Sequence, residues 1–113
     1  MRIVSHNKVS DINTDDVKFQ GVIDANYNDL VKVFGEPLEG DKYMTDAQWK
    51  LKLVIDKDTT HSLLLYNFKN GKNYLGDDGL AVERIPNWNV SSSEPEVNAS
   101  GYIQKYLKRR LNK

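Results

Sequence analysis

A chain of 113 residues has room for one hydrophobic core and not for two. Its 39% hydrophobic and 10% aromatic residues exclude a disordered chain, and the absence of cysteine excludes disulfides, thiolate metal sites and cysteine nucleophiles. Sixteen basic and sixteen acidic residues give a formal charge of zero, so no overall field draws in nucleic acid or an anionic membrane.

The elements are expected in the following order. MRIVS (1–5) reads as a short strand, and the polar HNKVSDINTDD after it makes residues 1–16 a partly irregular N-terminal segment. VKFQGVIDA (17–25) sets Val17, Phe19, Val22 and Ile23 around Gly21 as a bulged strand would. NYNDLVKVFGEP (26–37) predicts a helix of two to three turns: Asn26 or Asn28 caps it, Leu30, Val31, Val33 and Phe34 give it an apolar face, and Gly35 and Pro37 stop it. In QWKLKLVID (48–56), Trp49, Leu51, Leu53 and Ile55 alternate with Lys50 and Lys52, the pattern of a half-buried strand. KDTT (57–60) turns the chain into HSLLLYNF (61–68), the hairpin partner, whose run Leu63, Leu64, Leu65 predicts burial on both faces.

AVERIPNWNVS (81–91) predicts the last strand; Pro86 makes it an edge strand or delays its start to Asn87. An edge there offers a second copy a pairing site, so a homo-oligomer is possible. Ser93-x-x-Glu96 with Pro95 reads as a capping box opening a helix over 94–111, along which Ala99, Ile103, Tyr106 or Leu107, and Leu111 recur at helical spacing. Gly101 within it marks a kink or a close contact. Together these elements predict a single α+β domain over 1–113, an antiparallel sheet of three to four strands with the short helix and the C-terminal helix packed on one face. The expected core is Val22, Leu30, Val33, Phe34, Trp49, Leu51, Leu53, Leu63, Leu65, Trp88, Val90, Ile103 and Leu107.

The stretch NFKNGKNYLGDDGL (67–80) raises the functional question. Gly71 and Gly76 are spaced as in a phosphate-binding loop, but Asp77 and Asp78 stand where the lysine and hydroxyl residue would have to be, and two carboxylates repel a phosphate. No register fits a calcium loop. Asn70-Gly71 reads as a turn with positive backbone torsions, and Asp77-Asp78-Gly79 as a second turn. Between them Tyr74 and Leu75 are expected to stand outward as an anchor for a protein partner, with Asn73 and Asp77 beside them and the acidic turn Glu36, Glu39, Asp41 adjacent.

Adjacent carboxylates (Asp15-Asp16, Asp77-Asp78) do not supply the fixed separation that hydrolysis needs. His6 and His61 show no ligand spacing, and Ser91, Ser92 and Ser93 read as helix-capping residues. No catalytic residue, metal or cofactor is therefore assigned. The basic run Lys105, Lys108, Arg109, Arg110 and Lys113, interleaved with Tyr102 and Tyr106, suits a helix C-terminus and also offers a nucleic-acid contact. A small-ligand or nucleotide site at the 67–80 loop, lined by Lys72, Tyr74, Asp77 and Asp78, is the remaining alternative. Residues 1–56 carry seven basic and ten acidic side chains and residues 57–113 nine and six, so the halves differ in sign. The opening residues lack the apolar run of a signal peptide and no window reaches the roughly 18 apolar residues of a membrane span, so a cytoplasmic protein is expected.

LVKVFGEP (30–37), Asp46-x-x-Trp49, YNFKNGKNYLG (66–76) and IPNWNV (85–90) together resemble small proteins encoded by bacteriophages, over roughly residues 22–90. The pattern departs from that group where Asn89, Val90 and three serines follow Trp88 in place of a basic or glycine-rich segment. The resemblance carries no catalytic signature. It implies a small effector in the host cytoplasm that binds a host protein and blocks or redirects it.

Overall fold

The computed structural model describes residues 2–9, 11–94 and 96–112. Among them, six strands form one antiparallel sheet: β1 (Arg2–Ser5), β2 (Lys18–Asp24), β3 (Leu38–Glu39), β4 (Ala47–Asp56), β5 (Thr59–Tyr66) and β6 (Asn87–Ser92). The spatial order is β1-β4-β5-β6-β2, and the short β3 pairs with the start of β4. The architecture is thus α+β as expected, with more strands than the three or four anticipated. Three helices complete it: α1 (Tyr27–Phe34), α2 (Lys72–Leu75) and α3 (Ala99–Leu111).

The inner face of the sheet is set by period-2 alternation. Trp49 pairs with Leu65, Leu51 with Leu63, Leu65 with Val90 and Ile3 with Leu53, and all of these side chains are buried. Leu30 and Phe34 of α1 and Ile103 and Leu107 of α3 enter the same cluster, so both helices cover this one face. At its centre Trp49 and Trp88 meet edge to face at 5.4 Å, and Tyr27 leans on both. Burial first, and then the carboxylates of Glu36 and Glu83, raise the Tyr27 phenol above its ordinary pKa.

Several expectations need correction. Val22 is 50% exposed, while Ile23 is buried. The cause is the bulge between Phe19 and Gly21: one extra residue reverses the parity, so that Gly21 and Ile23 face inward and Phe19 and Val22 outward. A Cβ on Gly21 would stand 3.0 Å from Ser100 Oγ, so the glycine lets α3 pack close to β2. Leu64 is only half-buried, since α1 and α3 both pack on the opposite face, and Val33 is also half-buried. β6 begins right after Pro86, but it lies between β5 and β2 and is not an edge, so pairing of two copies near Pro86 has no free strand to use.

The C-terminal helix starts at Ala99, five residues later than expected. Asn98 caps it by accepting from Gly101 N–H, and a Cβ on Gly101 would crowd that cap at 2.5 Å, which accounts for the glycine as a close contact. The three serines do not cap α3. Ser91 Oγ bonds the Tyr66 hydroxyl, Ser92 Oγ bonds Glu94, and Ser93 Oγ accepts from Ser62 N–H. Pro95, central to the expected capping box, lies outside the described residues.

β1 and β2 occupy opposite edges, so the chain between them must cross the sheet. Asp11 lies 3.6 Å from Lys52, which points to the outer face, and Ile12 is buried apart from the main core. Asp11 and Ile12 therefore lie against part of the outer face. His6 and Asn7 hold the end of α1: His6 Nε2 and Asn7 Nδ2 both donate to Glu36 O, Asn7 Nδ2 also to Phe34 O, and Trp49 Nε1 to Gly35 O.

This assignment of faces predicts that Leu51→Ala costs about 2–5 kcal/mol of unfolding free energy, whereas Val22→Ala stays within about 0.5 kcal/mol. Urea denaturation of the two variants checks it; similar losses for both would mean that the phase of β2 is misassigned.

Candidate functional site

Two loops meet at the end of the sheet where β4 begins and β5 ends. Residues 40–46 lead into β4 and residues 67–80 leave β5. The joint is the Asn67 carboxamide, which is completely buried. Its Oδ1 accepts from Asp46 N–H and Ala47 N–H at 2.8 and 3.1 Å, and its Nδ2 donates to Asp46 Oδ1 and Asn70 Oδ1 at 3.0 and 3.1 Å. All four of its hydrogen-bonding positions are used. Asp46 carries the tie onward, since its second oxygen accepts from Asn73 N–H at 3.1 Å and so caps α2 from a distant part of the chain. Lys69 N–H donates to Met44 O at 2.8 Å and Asn73 Nδ2 to Thr45 O at 3.2 Å, closing the contact from the other side.

The 40–46 loop is shaped by Asp41. Its Oδ1 accepts from the N–H groups of Tyr43, Met44 and Thr45 at 2.8–3.0 Å, and these bonds, that of Tyr43 foremost, hold its carboxyl below the ordinary Asp range. The glycines serve close approach. A Cβ on Gly71 would lie 2.1 Å from Asp46 Oδ1, and one on Gly79 would lie 2.3 Å from Gly71 O.

The expected turn geometry at Asn70-Gly71 is not what forms. Gly71 is extended at φ −103°, and the left-handed residue is Lys69 at φ 60°. A lysine there is strained by about 1–2 kcal/mol relative to a right-handed conformation, and its placement has a visible counterpart. Lys69 Nζ sits 5.2 Å from the Phe68 ring centroid and 5.5 Å from that of Tyr74. Tyr74 in turn stacks on Tyr43 at 5.6 Å, and Phe68 meets Tyr66 edge to face at 6.4 Å. Tyr74 is 39% and Leu75 43% exposed, and Leu38, Tyr43, Phe68 and Leu80 are exposed too.

Tyr74, Leu75 and Asp77 are all exposed, Tyr74 and Leu75 in α2 and Asp77 in the short 3-10 turn Gly76–Asp78 that follows. Asn73 and Asp41 are exposed as well, and their side chains also bond the backbone of the 40–46 loop, Asn73 Nδ2 to Thr45 O and Asp41 Oδ1 to the amides of Tyr43, Met44 and Thr45. Glu39, on β3, pairs at 3.6 Å with Lys42 in a solvent-exposed contact. Glu36 stands apart, at the end of α1 beside His6 and Asn7. Lys105, Lys108, Arg109 and Arg110 are all exposed on α3. Residues missed by sequence reading are Tyr43, Phe68 and Lys69, which complete the aromatic surface, and Asn67 and Asp46, which hold it. The asparagine-rich spacing was a signal for Asn67; nothing local links Tyr43 to Tyr74 across thirty residues.

Among the described residues no group of three or more His, Asp or Glu side chains is placed to hold a metal ion, and no helix is long and apolar enough to cross a membrane. No family model, curated protein or solved structure matches the chain.

Two outcomes follow from the joint. Asn67→Ala leaves the Asp46 and Ala47 amides without their acceptor and should cost about 2–3 kcal/mol in denaturant unfolding; a loss below half a kcal/mol would show that the loops are held otherwise. Because the Asp41 pKa is lowered on folding, its contribution is present above the unfolded value of about 3.9 and is lost as pH falls through the depressed folded value. Asp41→Asn should therefore have a lower melting temperature than the parent at neutral pH, with the gap closing below about pH 3.9. A gap constant with pH counts against that assignment.

Proposed function

We propose that this chain is a non-enzymatic interaction protein of bacteriophage type that binds a host protein stoichiometrically and modulates or inhibits it, as in host takeover or counter-defence. The observation that carries this reading is the Tyr43-Tyr74 stack with Lys69 over it, exposed to solvent and built on loops clamped to the sheet by a buried hydrogen-bond network. Tyrosines held rigid before binding lose little conformational entropy in a complex and are enriched among residues that dominate interface energetics.

Phe68 extends this surface toward the outer face of the sheet, where Phe19 and Val22 are also exposed. An apolar area of this kind with a polar rim is a partner-binding feature. Glu39, Asp41, Asp77 and Asp78 supply the rim, so the complementary partner surface presents an apolar or aromatic anchor flanked by lysine or arginine. The partner is a protein of the host cytoplasm.

The test starts from the tagged chain as bait in a bacterial host lysate and continues with titration of the recovered protein, once purified, against parent and Tyr74→Ala. Tyr74→Ala should weaken binding by more than about 1 kcal/mol, roughly fivefold, typical of an interface anchor, with the melting temperature nearly unchanged. Equal affinity for both, or a collapse in melting temperature, overturns the reading.

A further inference from the structure

A second surface, independent of the aromatic one, lies between the β1 edge of the sheet and α3. It is a groove of about 620 Å3, floored by Ile3 and Leu53 and walled by Tyr102 and Tyr106. Four cations line it, Arg2 from β1 and Lys105, Lys108 and Arg109 from α3. It runs into a neighbouring depression that shares Arg2, Ile3 and Tyr106 and adds Lys8, Lys32 and Arg110. Seven cationic side chains therefore converge on one continuous trough, and Glu36 is the one carboxylate lining it among the described residues.

The helix dipole accounts for cations at the end of α3, but Arg2, Lys8 and Lys32 come from other parts of the chain. Of the two ion pairs among the described residues, Lys42-Glu39 and Lys52-Asp11, neither neutralises any of the seven. Tyr106 is fixed by stacking on Phe34 at 5.9 Å and carries the Arg110 guanidinium 5.3 Å from its ring centroid. We propose that this trough binds single-stranded nucleic acid, its cations following the phosphates, Tyr102 offering its ring to a base, and the Tyr106-Arg110 pair fixing one wall. A concave, cation-lined channel with an aromatic platform is the arrangement that suits a single strand.

The probe is a fluorescently labelled dT12, titrated with the intact protein by anisotropy between 50 and 300 mM salt. Binding should weaken with salt at a log-log slope of about −2 to −3, as three to four neutralised phosphates of a single strand give. The triple variant Lys105→Gln, Lys108→Gln, Arg109→Gln should lose at least tenfold in affinity and flatten that slope. Tyr102→Leu should lose about fivefold or more with the slope kept, which separates stacking from charge. Tyr74→Ala should bind dT12 as the parent does, so failure here is distinguishable from failure of the protein-docking reading. No binding at 50 mM salt, equal binding by the triple variant, equal affinity for a free nucleotide, tighter binding to a duplex of the same length, or equal affinity for an oligo-glutamate peptide would each overturn the proposal.

Discussion

The fully buried side chain of Asn67 is the contact on which the end of the molecule carrying the exposed aromatics depends. β4 enters and β5 leaves the sheet as neighbours, and each leaves main-chain groups unpaired where the ladder stops. An apolar residue at position 67 would bury equally well but would leave the Asp46 and Ala47 amides unsatisfied. The carboxamide satisfies both and has two donors left, which reach Asp46 and Asn70. A loop that would otherwise be a long excursion becomes an extension of the sheet.

That rigidity makes the exposed aromatics usable. Tyr43 and Tyr74 belong to different loops, and their stack holds only if both loops keep their positions. The left-handed Lys69 adds a local cost that an unanchored loop would relieve by relaxing. It persists between the Lys69-Met44 main-chain bond and the ring contacts of its ammonium. Strain, exposure and aromatic stacking thus coincide at one place while the polar groups beneath are satisfied.

Local pattern carried much of the fold. Alternation in 48–56 placed Trp49, Leu51 and Leu53 inward, and the Asn26 cap and Gly35 stop bounded α1 correctly. What failed did so where one residue changes the phase or where the partner is distant. The bulge at Gly21 was legible, but which side chains it turns inward was not: the extra residue before Gly21 moved Val22 outward and Ile23 inward. The serines before α3 matched a capping pattern, yet their hydroxyls bond strands and the adjoining loop, because tertiary partners outcompete a local cap. In 67–80 the exposure of Tyr74 and Leu75 was legible, but the expected Asn70-Gly71 turn was not what formed: a helical turn, Lys72–Leu75, and a 3-10 turn, Gly76–Asp78, follow a left-handed Lys69. The clamp of this stretch to Asp46 and the Tyr43 partner depend on strand pairing across about twenty and thirty residues, and so could not be read locally.

Net charge shows the same limit of averages. A formal charge of zero argues against long-range attraction of a polyanion. Screening at physiological salt confines each charge to about 8 Å, however, so a ligand in the trough beside α3 feels the cations lining it far more than carboxylates elsewhere on the molecule. The fold gathers Arg2, Lys8 and Lys32 from the first third of the chain beside the basic residues of α3, and it places Asp41, Asp77 and Asp78 around the aromatic surface. The sign difference between the two halves of the sequence is therefore a poor guide, because each surface draws on both halves. Folding sorts the charges in space, and it is the local field of each surface that a partner meets.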